Sequence, residues 1–315
     1  FSETTASAGP NHWDTATNWS GGAVPVGDDD VTLSHSGVNI CWGLNQSAVE
    51  LDSITIEKTY TGRRGLDYTK FAITANGETT STTAAAEYRE TVLEIDTVLL
   101  DIRRNRGPGN PAGSGRLLFN LGTVECTVTV EDTASKSVDG IRPAVQITAD
   151  SVTTDIYIQS APGGVGIATE RPGITSSVRK VSVTVPSTTS RVTVGAGTTI
   201  VTYEQTGGQN TLQAAATVTT VTVHGGFLTI EGSFLITALV INGGIVYPNN
   251  TPAGAAITAL TLNGGTVDGT QSSKARTWTA VTLGIDTAVL MADDNVVTIT
   301  TLNEPDGPYT LTAVR

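Results

Sequence analysis

The sequence predicts an all-β chain wound into a single-stranded parallel β-helix, a β-solenoid, and three observations carry that prediction. Glycine pairs close successive apolar runs at Gly207-Gly208, Gly225-Gly226, Gly243-Gly244 and Gly264-Gly265, at steps of 18, 18 and 21 residues. Across those steps the apolar positions keep one phase. A first column reads Ile200, Val218, Ile236, Ile257, Trp278, Val296, and a second Tyr203, Val221, Leu239, Leu260, Val281, Ile299. A third column reads Gln205, Val223, Ile241, Leu262, Leu283, and it lies two residues beyond the second, the alternation of a strand buried on one face. A unit this short cannot bury its own apolar face and must stack on copies of itself.

The core ladder is therefore expected to hold Val218, Val221, Val223, Ile236, Leu239, Ile241, Ile257, Leu260 and Leu262, with like side chains about 4.8 Å apart. The glycine pairs suit corners, where positive φ costs least without a Cβ. Tyr247-Pro-Asn-Asn-Thr-Pro-Ala-Gly254 has loop composition and accounts for the longer interval. The columns follow no strict six-residue repeat, and a right-handed coil is expected on that ground. No stretch sustains a helical period; the best helical candidate, Thr83 to Glu90, is too short to be convincing.

Taken in order, residues 1–48 form an N-terminal segment. In it Trp13 and Trp19 flank a polar turn, and Val31–Leu33 and Val38–Ile40 look like the first strands. An open solenoid end exposes core and unpaired edges, so the two tryptophans are expected to cap it. Residues 49–190 hold longer strands and wordier loops, an irregular, wide solenoid. Residues 191–315 form the regular part, with coils of 18 to 21 residues and no Lys or Arg between Arg191 and Lys274. No low-complexity linker divides the chain.

Composition excludes several classes. The formal net charge of -12 argues against nucleic acid, which needs a basic face. No run of 18 apolar residues exists, so no membrane insertion is expected. No signal peptide is visible, although the chain begins at Phe1 and trimming before it stays open. Cys41 and Cys126 are too few for a metal site or disulfide framework; free thiols and one disulfide both remain open. His12, His35 and His224 share no metal spacing, and no metal or cofactor is expected.

No catalytic signature emerges. Polysaccharide-cleaving β-helices need converging carboxylates or a base beside bound Ca²⁺. Here Glu204, Glu231 and Asp268 are sparse, with no accompanying Arg or Lys before Lys274. Asp28-Asp29-Asp30 and Asp293-Asp294-Asn295 are expected as solvated turns, since neighbours on a strand point to opposite faces. His224 precedes a glycine pair where Asn242 and Asn263 stand in later coils, which fits a corner residue. Gly107-Pro-Gly109 lacks the helix and the Lys-Ser/Thr ending of a phosphate loop. The charge feature above background is basic: nine of the 18 Lys and Arg lie between Lys58 and Arg116. Arg63, Arg64, Arg103, Arg104, Arg106 and Arg116 fall mainly in two loops, either as internally paired groups or as a docking edge for a neighbouring acidic subunit.

Several stretches together carry a resemblance: Trp13, Asn18-Trp19, Val24-Pro25 and Asp28-Asp29-Asp30-Val31; Trp42 through Ile56; Glu87 through Ile95; and Gly113-Ser-Gly-Arg116 ahead of the glycine-pair coils. They resemble β-helix proteins of tailed-phage and prophage genomes and of some environmental bacteria. The resemblance spans nearly the whole chain and supplies no functional residues. It implies a virion-associated structural protein, such as a capsid decoration or fibre component, with other capsid or fibre subunits and its own copies as partners, a trimer being the first expectation. A bacterial surface or filament protein, and a carbohydrate-binding or carbohydrate-cleaving β-helix, are the alternatives.

Overall fold

A computed structural model describes residues 12–37, 40, 43–60, 66–71, 74–75, 78–79, 85–90, 92–104, 117–133, 143–169, 175–186, 190–213, 218–231, 235–248, 256–270, 276–291 and 297–312. Twenty-two strands join in parallel into one wound sheet. Its first face is built from Asp30–Leu33, Asn45–Ile56, Leu93–Arg104, Thr127–Thr133, Asp155–Ile158, Ser176–Val183, Thr198–Gln205, Val218–Val223, Ile236–Ile241, Ile257–Leu262, Arg276–Leu283 and Val297–Asn303. The second face holds Leu117–Leu121, Val145–Ala149, Val165–Ile167, Arg191–Val194, Gln209–Leu212, Phe227–Ile230, Ile245–Tyr247, Thr266–Gly269, Ala288–Met291 and Thr310–Leu311. Strands alternate between the faces along the chain through the regular part, so each coil contributes one rung to both. The β-solenoid fold follows directly from the sequence columns.

Those columns are ladders. Ile200 pairs with Val218, Val218 with Ile236, Ile236 with Ile257 and Ile257 with Trp278. The second column extends far beyond the repeat visible in sequence: Val31, Ile54, Leu100, Val128, Ile156, Val181, Tyr203, Val221, Leu239, Leu260, Val281 and Leu302 are successive register partners. All nine core-ladder residues named from sequence are buried. One expectation fails at the C-terminal end. Trp278 pairs with Ile299 and Val281 with Leu302, where the sequence columns place Val296 and Ile299. The last interval is 21 residues long, like the two before it, so assuming 18 shifts the final rung by three.

Between the first two columns the alternation breaks on every regular rung. Val201 and Thr202, Thr219 and Thr220, and Thr237 and Ala238 are consecutive outward residues, and the pairing skips the first of each. The strand bends there, which is why the columns stand three residues apart before they stand two apart. The glycine pairs form the next corner. Gly208, Gly226, Gly244 and Gly265 have φ between 77° and 85°, the left-handed region that favours glycine. Rung-to-rung hydrogen bonding continues through the corner, from His224 N to Gln205 O (2.8 Å) and from Phe227 N to Gly208 O (2.9 Å). A Cβ on Gly226 would stand 2.6 Å from the Gly207 carbonyl carbon, so the stacked corner has no room for a side chain.

The N-terminal part is irregular for identifiable reasons. Asn45–Ile56 and Leu93–Arg104 each turn from one face to the other within a single strand, with a register shift between Gln46 and Glu50. Between them the chain leaves the ladder: Leu66–Phe71 pairs antiparallel with Ala85–Glu90, and Thr74–Ala75 with Glu78–Thr79. The helical candidate is thus largely a strand, Ala85–Glu90; one short alanine run is outweighed by a six-residue partner strand. The 3-10 turn Ala16–Asn18 is the sole helical element among the described residues. Trp13 is buried in the same apolar core as Val31, Leu33 and Leu44. Its ring meets that of Trp19 edge-on at 4.8 Å, and Trp19 Nε1 donates to the Trp13 carbonyl (2.8 Å).

Candidate functional site

Of the six arginines, Arg103 alone has a described side chain, and it is occupied. Its Nε donates to Asp101 Oδ2 (2.6 Å) and its Nη1 to Glu57 Oε1 (3.1 Å). Glu57 follows Ile56, the register partner of Ile102, which sets it beside Arg103; on the other side a register shift after Ile102 aligns Arg103 with Asp132. Hydrogen bonding to Asp101 raises the guanidinium pKa further. Arg104 closes the same strand, but its side chain, together with Arg63, Arg64, Arg106 and Arg116, lies outside the described residues. The structure therefore pairs Arg103 internally and leaves the other five without a described environment.

A second charged arrangement runs along the outside of the first face. Lys180 Nζ lies 3.3 Å from Glu204 Oε2, and Glu204 Oε1 lies 3.3 Å from His224 Nε2. His224 Nδ1 meets Asn242 Nδ2 at 3.3 Å, and Asn263 Nδ2 donates to Asn242 Oδ1 (2.8 Å). His224, Asn242 and Asn263 stand one per coil just before the glycine pairs, so the corner reading of His224 holds. What the sequence columns did not reveal is that these side chains bond to one another as a polar ladder. Nearby, Arg179 clasps Asp155 through two bonds of 2.8 Å, which holds the Asp155 carboxyl below the usual carboxylate range.

Inside the coil one polar cluster interrupts the apolar columns. Tyr203 and Gln205 are fully buried, and Asn210 nearly so. Tyr203 Oη donates to Gln205 Oε1 (3.1 Å), as does Asn210 Nδ2 (3.1 Å). Asn210 Nδ2 also donates to Gly207 O (2.9 Å), and Val192 N donates to Asn210 Oδ1 (3.1 Å). Gln205 Nε2 donates to Gly225 O (2.9 Å), so both amides of this cluster hydrogen-bond across the corner. Burial pushes the Tyr203 phenol pKa up, which keeps it a neutral donor. This cluster explains why Gln205 occupies a core column: it ties the first glycine corner to the next.

The remaining candidates are dispersed. Glu231 accepts from Gln213 (2.8 Å), Asp268 accepts from Thr270 on the second face, and Glu204 belongs to the first face, so the three carboxylates do not converge. Asp28 has φ 64° and Asp29 Oδ2 accepts from Val26 N (2.8 Å), a turn as the sequence reading has it, whereas Asp30 opens the first strand and its carboxylate accepts from Ser53. Asp293-Asp294-Asn295, Gly107-Pro-Gly109 and Cys41 lie outside the described residues. Cys126 is a buried free thiol whose pKa is pushed up to about 12 by burial. Among the described residues no three His, Cys, Asp or Glu side chains converge as a metal site. None of the described helices is long and apolar enough to cross a membrane.

The outer surface of the second face changes character along the solenoid. At its start it is covered: Leu118 and Gln146 point away from the core yet are buried, and a Cβ on Gly166 would strike Thr169 and Pro143. From Thr193 onward the outward residues are only partly buried. They include Phe227 and Tyr247, on neighbouring rungs, with rings parallel to within 10° and centroids 6.3 Å apart. Sequence reasoning passed over this pair, although the signal was present. After a glycine pair the order is outward, inward, outward, inward, and Gly-Gly-Phe227-Leu-Thr-Ile230 and Gly-Gly-Ile245-Val-Tyr247 put large rings at outward places.

Compared with protein-family models, curated proteins and solved structures, the chain matches no family model, no curated protein and no solved structure. The class is therefore defined by the fold itself, a parallel β-solenoid with two long ladder-forming faces.

Proposed function

We propose that this protein is a non-enzymatic structural element, a stiff rod that acts through contacts with its own copies and with other subunits of a larger particle or fibre. The observation that carries this reading is the unbroken ladder from Val31 to Leu302, in which each rung is hydrogen-bonded in parallel register to the next. Such a rod resists bending and proteolysis because opening one rung exposes two apolar surfaces. A β-solenoid is consistent with a structural or surface role. The finer reading, a phage virion component such as a capsid decoration or fibre, is supported by the resemblance of the N-terminal motifs. A right-handed coil, a cap formed by Trp13 and Trp19, and a homotrimer belong to the same reading, with the virion as its location and the bacterial cell surface as the alternative.

The test is stoichiometry. In purified native particles or fibres the protein is expected at fixed, high copy number, visible as repeated density in electron micrographs. A sub-stoichiometric or purely soluble protein would remove the structural reading. Because Arg103 is already paired, the docking edge is best probed at Arg104→Glu with Arg106→Glu, which should leave circular dichroism unchanged and weaken assembly in a salt-dependent way.

A further inference from the structure

We propose that the outer surface of the second face, from Thr193 to Tyr247, binds a linear neutral polysaccharide. This goes beyond the structural reading and shares with it only the fold, so either can fail alone. Three features converge. First, Phe227 and Tyr247 offer partly exposed rings in one orientation on adjacent rungs, 6.3 Å apart. The C–H face of a pyranose packs on such a ring, and the rings stand diagonally, since Phe227 pairs with Ile245 and Tyr247 with Thr229, at a spacing of the order of one sugar unit in an extended chain.

Second, the flanking outward groups are the kind a sugar edge needs. Thr229 lies on the rung of Phe227, Gln209 and Thr211 on the rung before it and Thr193 on the one before that, and Thr211, Thr229 and Tyr247 are consecutive register partners. None of these side chains, nor the Tyr247 hydroxyl, hydrogen-bonds to another described side chain or backbone group. They are available to hydroxyls of a ligand. Third, charge selects a neutral polymer. Arg191 pairs with Gln209 at the start of this stretch; beyond it the sequence has no Lys or Arg before Lys274 to hold anionic groups, and the formal charge of -12 repels them.

The experiment is native affinity electrophoresis of the full chain through gels containing galactomannan, xyloglucan, mixed-linkage β-glucan or, as the anionic polymer, polygalacturonate. At least one neutral polymer should retard the protein and polygalacturonate should not. Phe227→Ala and Tyr247→Ala should each weaken retention about tenfold, and Thr222→Ala, on the first face, should leave it unchanged. Phe227→Leu with Tyr247→Leu keeps apolar area but removes the flat rings, and should also lose retention if the alanine variants fold poorly. The proposal is overturned if no neutral polymer retards the protein, if the double leucine variant is retained like the parent, or if polygalacturonate binds equally. It is also overturned if the double variant lowers the sedimentation coefficient of the free protein, because the face would then be a contact between copies.

Discussion

Leu239→Ala tests the ladder at its most regular point. Leu239 is 1% exposed and stands between Val221 and Leu260 on the adjacent rungs. Truncating a buried leucine costs about 2–5 kcal/mol, depending on how far the site can collapse. Here collapse is restricted, because both neighbouring rungs are fixed in register by backbone hydrogen bonds, so the upper half of that range is expected. Val240, one residue on, faces outward and is only partly buried, and Val240→Ala should cost about 0.5 kcal/mol. In urea unfolding the first substitution should lower the midpoint by about 1 M or more and the second by a small fraction of that. Hydrogen exchange should show the loss spreading to the amides of Val221–Val223 and Leu260–Leu262, since each coil is stabilised by its neighbours. Equal midpoint shifts for the two substitutions would refute the one-sided burial on which the reasoning rests.

Other substitutions test other parts. Gly226→Ala combines positive φ, worth about 1–2 kcal/mol against a Cβ, with overlap onto the Gly207 backbone. It should lower the thermal midpoint markedly, while Gly21→Ala, with open space around it, should not. Arg179 lowers the Asp155 carboxyl pKa, so the pair stabilises the fold above the unfolded carboxylate value of about 3.9 and loses that contribution as pH falls through the lower folded value. The thermal-midpoint gap between the parent and Arg179→Ala should be full above about pH 5 and close as pH falls through the lowered folded value; a pH-independent gap would contradict the pairing. Cys126, with its thiol pKa pushed up to about 12, should not react with a thiol reagent at neutral pH. Cys126→Ala should therefore leave labelling of the folded protein unchanged and reduce labelling in urea by one equivalent.

The regular half of the fold was legible because its coils share length and corner chemistry, so Val221, Leu239 and Leu260 align by counting. The N-terminal half obeys the same ladder without a countable period. Ile54 pairs with Leu100 across a hairpin-bearing insertion, and Leu100 with Val128 across the second-face strand Leu117–Leu121, so spacing alone could not connect them. The same blindness to an insertion moved the last rung from Ile299 to Val296. Surface features were less legible for a different reason. The bonds linking Lys180, Glu204, His224, Asn242 and Asn263 depend on which side chains lean toward neighbouring coils, and a column of letters does not encode lean. The aromatic pair is encoded by parity after the glycines: the alternation that marks Leu228 and Val246 as buried marks Phe227 and Tyr247 as outward.

Parallel in-register stacking itself is tested by cysteine pairs on the outer surface of the first face. Thr222 and Val240 are register partners on adjacent strands, whereas Ala238 is the partner of Thr220. Parallel partners about 4.8 Å apart fall inside the reach of a disulfide. Mild oxidation of the folded monomer should link Thr222→Cys with Val240→Cys and leave Thr222→Cys with Ala238→Cys unlinked. Linkage of the second pair in preference to the first would mean that successive coils do not stack in this register, and the solenoid account would be wrong.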